Sequence, residues 1–133
     1  MRIAVIDGMG GGMGAQIVQG IVKEFGGNVE IWALGTNAIA TAAMVKAGAK
    51  KGATGENAIR ISTRDVDIVM GPLGIIVPNA LMGEITPSLA EIIASLSCRK
   101  ILLPVHQPHV ELVGFENRPL NELIKEAIKL VKE

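Results

Sequence analysis

Apolar positions follow two alternating patterns along this chain. Short aliphatic runs, such as Ile3-Ala4-Val5-Ile6, alternate with stretches in which apolar residues recur every three or four positions. The runs read as strands buried on both faces, and the periodic stretches as amphipathic helices. Residues 2–7 form the first predicted strand. Residues 15–25 form a helix, with Ile17, Val18, Ile21, Val22 and Phe25 on one face and Gln16, Gln19, Lys23 and Glu24 on the other. Gly26-Gly27-Asn28 stops it. Residues 29–34 are the second strand. An Ala-rich helix follows over residues 37–47, with Thr36 or Asn37 as its N-cap and Gly48 at its end. A strand, helix and strand in this order predict parallel pairing through a right-handed crossover.

The pattern is patchier over residues 50–65, which read as a loop with one short helix near residues 56–61. Residues 67–70 are a third strand. GPLGIIVPNALMGEI, residues 71–85, mixes helix breakers with apolar positions and reads as a long structured loop, a kind more often functional than idle. Thr86-Pro87 is a helix start, because proline at the first helical position loses nothing. That helix runs to about residue 97. Residues 100–105 are a fourth strand, and His106-Gln107-Pro108-His109 is short enough for a hairpin into residues 110–115. The fifth strand is therefore expected at an antiparallel edge. Pro119 opens a last helix with Leu120, Leu123, Ile124, Ala127, Ile128 and Val131 in one stripe. The prediction is a three-layer α/β sandwich with a mostly parallel sheet of about five strands, in one domain over residues 1–133.

Composition narrows the function classes. The chain is 49% hydrophobic but only 2% aromatic, and its 13 basic and 13 acidic residues cancel. Without a basic stripe or any Tyr, a nucleic-acid partner is not expected. A single cysteine, Cys98, rules out an intramolecular disulfide and suits a reducing cytoplasm. A strand starting at Arg2 leaves no room for a signal peptide, and the apolar run at residues 75–82 is too short and interrupted to span a bilayer. A mean hydropathy of +0.41 predicts a homo-oligomer, which would cover apolar surface.

The candidate chemistry centres on the break after the first strand. Asp7 is followed by Gly8, Met9, Gly10, Gly11, Gly12, Met13 and Gly14. A strand, glycine-rich turn and helix form a phosphate cradle in doubly wound folds, the anion sitting on free N–H groups of the helix. Gly8, Gly12 and Gly14 fit one dinucleotide spacing, and Gly10, Gly12 and Ala15 another. No Lys-Ser or Lys-Thr follows, which excludes a P-loop. The expected ligand is a small anion or nucleotide, with NAD or NADP leading. Two features depart from the dinucleotide pattern. The second strand ends at Leu34-Gly35-Thr36-Asn37 without the acid that reads ribose hydroxyls, leaving that role to Thr36 and Asn37. Asp7 would repel a pyrophosphate, and is better read as bracing the turn through backbone amides.

The carboxyl ends of parallel strands share one rim, which also collects Gly71, Pro72 and residues 106–109, with Asn79 and Glu84 able to face it from the long loop. His106 is a weak general acid/base candidate. The pair His106 and His109 lacks a clear third ligand, so no metal site is expected. No Tyr–Lys pair, G-x-S-x-G elbow or paired-carboxylate motif is present. A non-enzymatic regulatory or interaction protein on the same scaffold is the alternative, followed by a small enzyme acting on a phosphorylated metabolite.

IDGMGGGMGAQIV, ALGTNAIATAAMVKAGA, GATGENAI, DIVMGPLGIIVPNALMGEITP and VELVG resemble a small bacterial family, domain of unknown function 3842, across nearly the whole chain. ALGTNAIAT and GPLGIIVPN are its specific blocks. The resemblance implies a Rossmann-like fold and brings no activity, substrate or catalytic residue with it. GMGGGMG is also similar to the glycine loop of prephenate dehydrogenases and other NAD(P)-binding domains, a similarity that ends with the first helix.

Overall fold

A computed structural model of the chain describes residues 1–105 and 110–133. Its sheet comprises β1 (Arg2–Asp7), β2 (Glu30–Gly35), β3 (Lys51–Thr54), β4 (Ile68–Pro72) and β5 (Arg99–Leu103). Their order is β3-β2-β1-β4-β5, and every neighbouring pair is parallel. Helices α1 (Gly12–Phe25), α2 (Ala38–Lys46) and α5 (Leu120–Lys132) cover one face. Helices α3 (Glu56–Ser62) and α4 (Pro87–Ala94) cover the other. The architecture is a three-layer, doubly wound α/β sandwich.

Strand β1 shows why the aliphatic runs became central strands. Ile3 and Val5 pack into the layer of Ile17, Val18, Ile21 and Met44, whereas Ala4 and Ile6 pack into the layer of Ile59, Leu89 and Ile93. Each buried Ile or Val contributes roughly 1.5–3 kcal/mol, so a strand apolar on both sides is held in the middle of the sheet. The chain leaves β1 through α1 toward β2, and reaches β4 from β3 through α3 on the opposite face. The winding therefore reverses between β1 and β4, which opens a crevice at their carboxyl ends.

Two expectations are corrected. Residues 110–115 do not form an antiparallel edge strand. Val110, Leu112 and Val113 lie outside the sheet, 41%, 43% and 105% exposed, and Gly114 turns the chain with φ at 82°. The fifth strand is instead β3, inside the stretch read as a loop. It is an edge strand, joined to β2 by backbone pairing from Trp32↔Lys51 to Gly35↔Thr54, and only Ala53 on it is half-buried. An exposed edge needs no aliphatic run, so hydropathy does not mark it. Helix α1 starts at Gly12, earlier than the apolar stripe indicates, because its first turn is made of the glycine loop itself. No helix among the described residues is long and apolar enough to cross a membrane.

Candidate functional site

Asp7, the last residue of β1, is 95% buried by its neighbours, with 5% exposure remaining. Its Oδ1 accepts from the Gly8 N–H at 2.8 Å and its Oδ2 from the Gly14 N–H at 2.7 Å. The carboxylate thus pins both ends of the glycine loop, as its bracing role predicts. Burial pushes the Asp7 carboxyl above its ordinary range, the Gly14 and Gly8 N–H groups pull it back, and the nearby Glu84 charge adds to the rise.

The glycines of the loop fall into two groups. A Cβ on Gly8 would sit 2.5 Å from Thr36 Oγ1, and one on Gly14 would sit 2.5 Å from Met44 Sδ and 2.8 Å from Asp7 Cβ. Gly11 has a left-handed φ of 75° against the Ala40 backbone. These three are demanded by the fold. Gly10 and Gly12 are not: neither has a left-handed φ, and a Cβ on either would meet nothing within 4 Å. Both are exposed. The N–H of Gly11 bonds to the Gly8 carbonyl and that of Ala15 to the Gly11 carbonyl. The N–H groups of Gly10, Gly12 and Met13 have no acceptor among the described residues. Three free donors at the start of a fourteen-residue helix, over open space, suit an anion.

Glu84 reaches this loop from the segment between β4 and α4. Its Oε1 accepts from Thr36 Oγ1 at 2.6 Å and Asn37 Nδ2 at 2.7 Å, and the Met9 N–H lies 3.1 Å from Oε1 and 3.2 Å from Oε2. Asn37 also donates to the Met9 carbonyl and caps α2 by accepting from the Ala40 N–H. The segment presenting Glu84 is strained. Asn79, Leu81, Met82 and Gly83 all have positive φ, which Asn and Gly tolerate but which costs Leu81 and Met82 on the order of 1–3 kcal/mol each. Such strain persists only where the surroundings over-determine it. Here the Asn79 N–H bonds to the Ile85 carbonyl at 2.6 Å, and Ile85 is fully buried.

Burial works to raise the Glu84 carboxyl, but hydrogen bonds from Thr36, Asn37 and the Met9 amide prevail and hold it below its ordinary value of 4.5. A carboxylate lowered on folding adds stability above pH 4.5 and loses it as pH falls through the folded value. Glu84→Gln should therefore shallow the acid limb of a stability–pH curve measured by urea denaturation. An acid limb identical to that of the parent protein would contradict this network.

The structure brings most of the predicted residues together. Gly8, Met9, Gly10, Gly11, Gly12, Met13 and Gly14 form one loop, with Thr36 and Asn37 beside it. Gly71 and Pro72 end β4 next to β1, but both are buried, and a Cβ on Gly71 would run into the Ile6 carbonyl. Gly71 is thus glycine because two strands approach closely. His106 and His109 lie outside the described residues. Glu84's bonds to Met9, Thr36 and Asn37 are not foreshadowed by spacing, since up to 75 residues separate the partners. A groove of about 500 Å³ between α1 and α5, lined by Gly20, Ile124 and Ile128 among others, lies away from this loop.

Among curated proteins, none matches the sequence. A crystal structure described as a dodecameric FMN-dependent Ubix-like decarboxylase from Escherichia coli O157:H7 is 14% identical. The match covers 99% of this chain and 76% of that one, with a TM-score of 0.47. The family model for the domain of unknown function DUF3842 matches residues 2–133, and the chain belongs to that family.

Proposed function

We propose that the chain binds a phosphate-bearing nucleotide or dinucleotide, with NAD or NADP the leading ligands, on the loop of residues 8–14. The observation that supports this reading is the pair Gly10 and Gly12, which neither backbone conformation nor packing requires to be glycine. A phosphate group resting on the N–H groups of Gly10, Gly12 and Met13 does require it, because any side chain there would fill its place. The position at the reversal between β1 and β4 supports the same ligand class. No Lys or Arg lies in the loop, so the anion's charge would be met by backbone dipoles alone.

Thermal melting with millimolar NAD, NADP, ATP, AMP, S-adenosylmethionine or phosphate tests the proposal. At a hundred times its dissociation constant, a ligand adds about 2.7 kcal/mol. At least one nucleotide should raise the melting temperature; a melt unchanged by the whole panel would contradict the reading. The mean hydropathy of +0.41 also favours self-association, so sedimentation at micromolar concentration should show more than monomer. A single monomer boundary would refute that.

A further inference from the structure

We infer that Glu84 Oε2 reads the free 2′- and 3′-hydroxyls of a ribose, so that the ligand is a nucleoside 5′-diphosphate, free or as half of a dinucleotide, without a 2′-phosphate. This rests on the glycine-loop reading above and specifies which ligand that loop takes.

In doubly wound nucleotide sites, an acid at the end of the second strand accepts the ribose hydroxyls. Strand β2 here ends at Gly35, and Thr36 and Asn37 follow it without an acid. Glu84 fills the gap from another part of the chain. Its Oε1 lies on Thr36 Oγ1 and Asn37 Nδ2, and its carboxylate faces the first turn of the glycine loop at the Met9 N–H. A Cβ on Gly8 would sit only 3.0 Å from that same Oε1.

The bookkeeping of donors assigns the roles. Thr36 has one hydroxyl hydrogen, and it goes to Glu84. Asn37 spends its amide hydrogens on the Met9 carbonyl and on Glu84, and its oxygen on capping α2. Both are positioning residues. Oε1 already accepts three donors, whereas Oε2 meets only the Met9 N–H, at 3.2 Å. Oε2 therefore keeps acceptor capacity for a diol. A 2′-phosphate at that place would meet a carboxylate, with no Lys or Arg among the residues bonded to it.

The surroundings suit a base. Met9 is 45% exposed, Ile39 72% and Met82 89%. Met9 donates its N–H to Glu84, Ile39 follows two residues after the donor Asn37, and Met82 precedes Glu84 by two residues. Exposed apolar side chains on the segments that carry Glu84 and its partners offer contact to a nucleobase, and methionine adapts to its faces. The strained turn over residues 79–83 leads directly into Glu84, whose carboxylate is bonded at the loop.

The test is calorimetric titration of the full chain with ADP, 2′-deoxy-ADP, NAD and NADP, repeated on Glu84→Gln and Gly12→Val. A hydroxyl bonded to a carboxylate is worth roughly tenfold or more in affinity. ADP should bind at least about tenfold tighter than 2′-deoxy-ADP, and NAD tighter than NADP by a similar factor. Glu84→Gln, which keeps an oxygen for Thr36 and Asn37, should shrink both preferences. The deoxy comparison on the unaltered protein needs no variant to fold. Equal affinity for ADP and 2′-deoxy-ADP, with binding still lost in Gly12→Val, would overturn the diol role and leave the glycine-loop site standing. No binding of any of the four to the unaltered protein would overturn both.

Discussion

Gly12→Val should abolish nucleotide-dependent stabilisation, a loss of about 2.7 kcal/mol at a hundredfold excess over the dissociation constant, while barely moving the ligand-free melt. Gly12 occupies the first position of α1, is exposed, and has open space where a side chain would go. Helix propensity places Val slightly ahead of Gly, so the ligand-free protein should stay within about 0.5 kcal/mol of the parent. The isopropyl group would stand where the phosphate rests. Gly14→Val is the contrasting control. There the side chain would collide with Met44 and Asp7, and the protein itself should be lost. If Gly12→Val retains the full ligand-induced shift in thermal melting, the phosphate does not sit on this turn.

Asp7→Ala should be the most destabilising change at the site that leaves the hydrophobic core intact. It orphans two buried donors, the Gly8 and Gly14 N–H groups, each costing about 1–3 kcal/mol. Relief from burying a carboxylate offsets part of that. The offset depends on pH. The Asp7 carboxyl is raised by folding, so its titration favours the folded state below its ordinary value of 3.8 and withdraws that help as pH rises through the raised value. The penalty of Asp7→Ala should therefore be larger in acid than at neutrality. Urea denaturation at both ends of that range measures it. A variant as stable as the parent at every pH would contradict the brace.

The two substitutions separate what the loop does for the fold from what it does for a ligand. Asp7, Gly8, Gly11 and Gly14 hold the strand-to-helix turn in shape. Gly10 and Gly12 are exposed, and their N–H groups and that of Met13 have no acceptor among the described residues. A tight turn alone explains the first set and leaves the second without a reason.

Central elements were readable because their constraint is written locally. β1 carries apolar residues on both faces, α1 and α5 carry stripes, and Asn37 and Thr86 cap α2 and α4 through their own side chains. The family resemblance was equally legible, because its blocks run through contiguous stretches of the chain. Lys51–Thr54 was not readable as a strand, because an edge strand is defined by a neighbour's backbone and not by its own hydropathy. The reverse error at residues 110–115 has the same root: alternating Val and Leu look like an edge strand, yet they stay exposed and unpaired with the sheet. At the site, Asp7's brace follows from a carboxylate flanking a glycine turn. Glu84's place could be anticipated only as a position on the rim. Its partnership with Thr36 and Asn37 depends on a turn in which Leu81 and Met82, beside the more tolerant Asn79, take left-handed conformations that their own propensities disfavour.

The most direct measurement is an amide NMR titration of the isotopically labelled chain with ADP. The account predicts that the N–H resonances of Gly10, Gly12 and Met13 shift together and saturably, well ahead of those in the groove between α1 and α5. If those three resonances stay in place through millimolar ADP, NAD and phosphate, the glycine loop is only a turn.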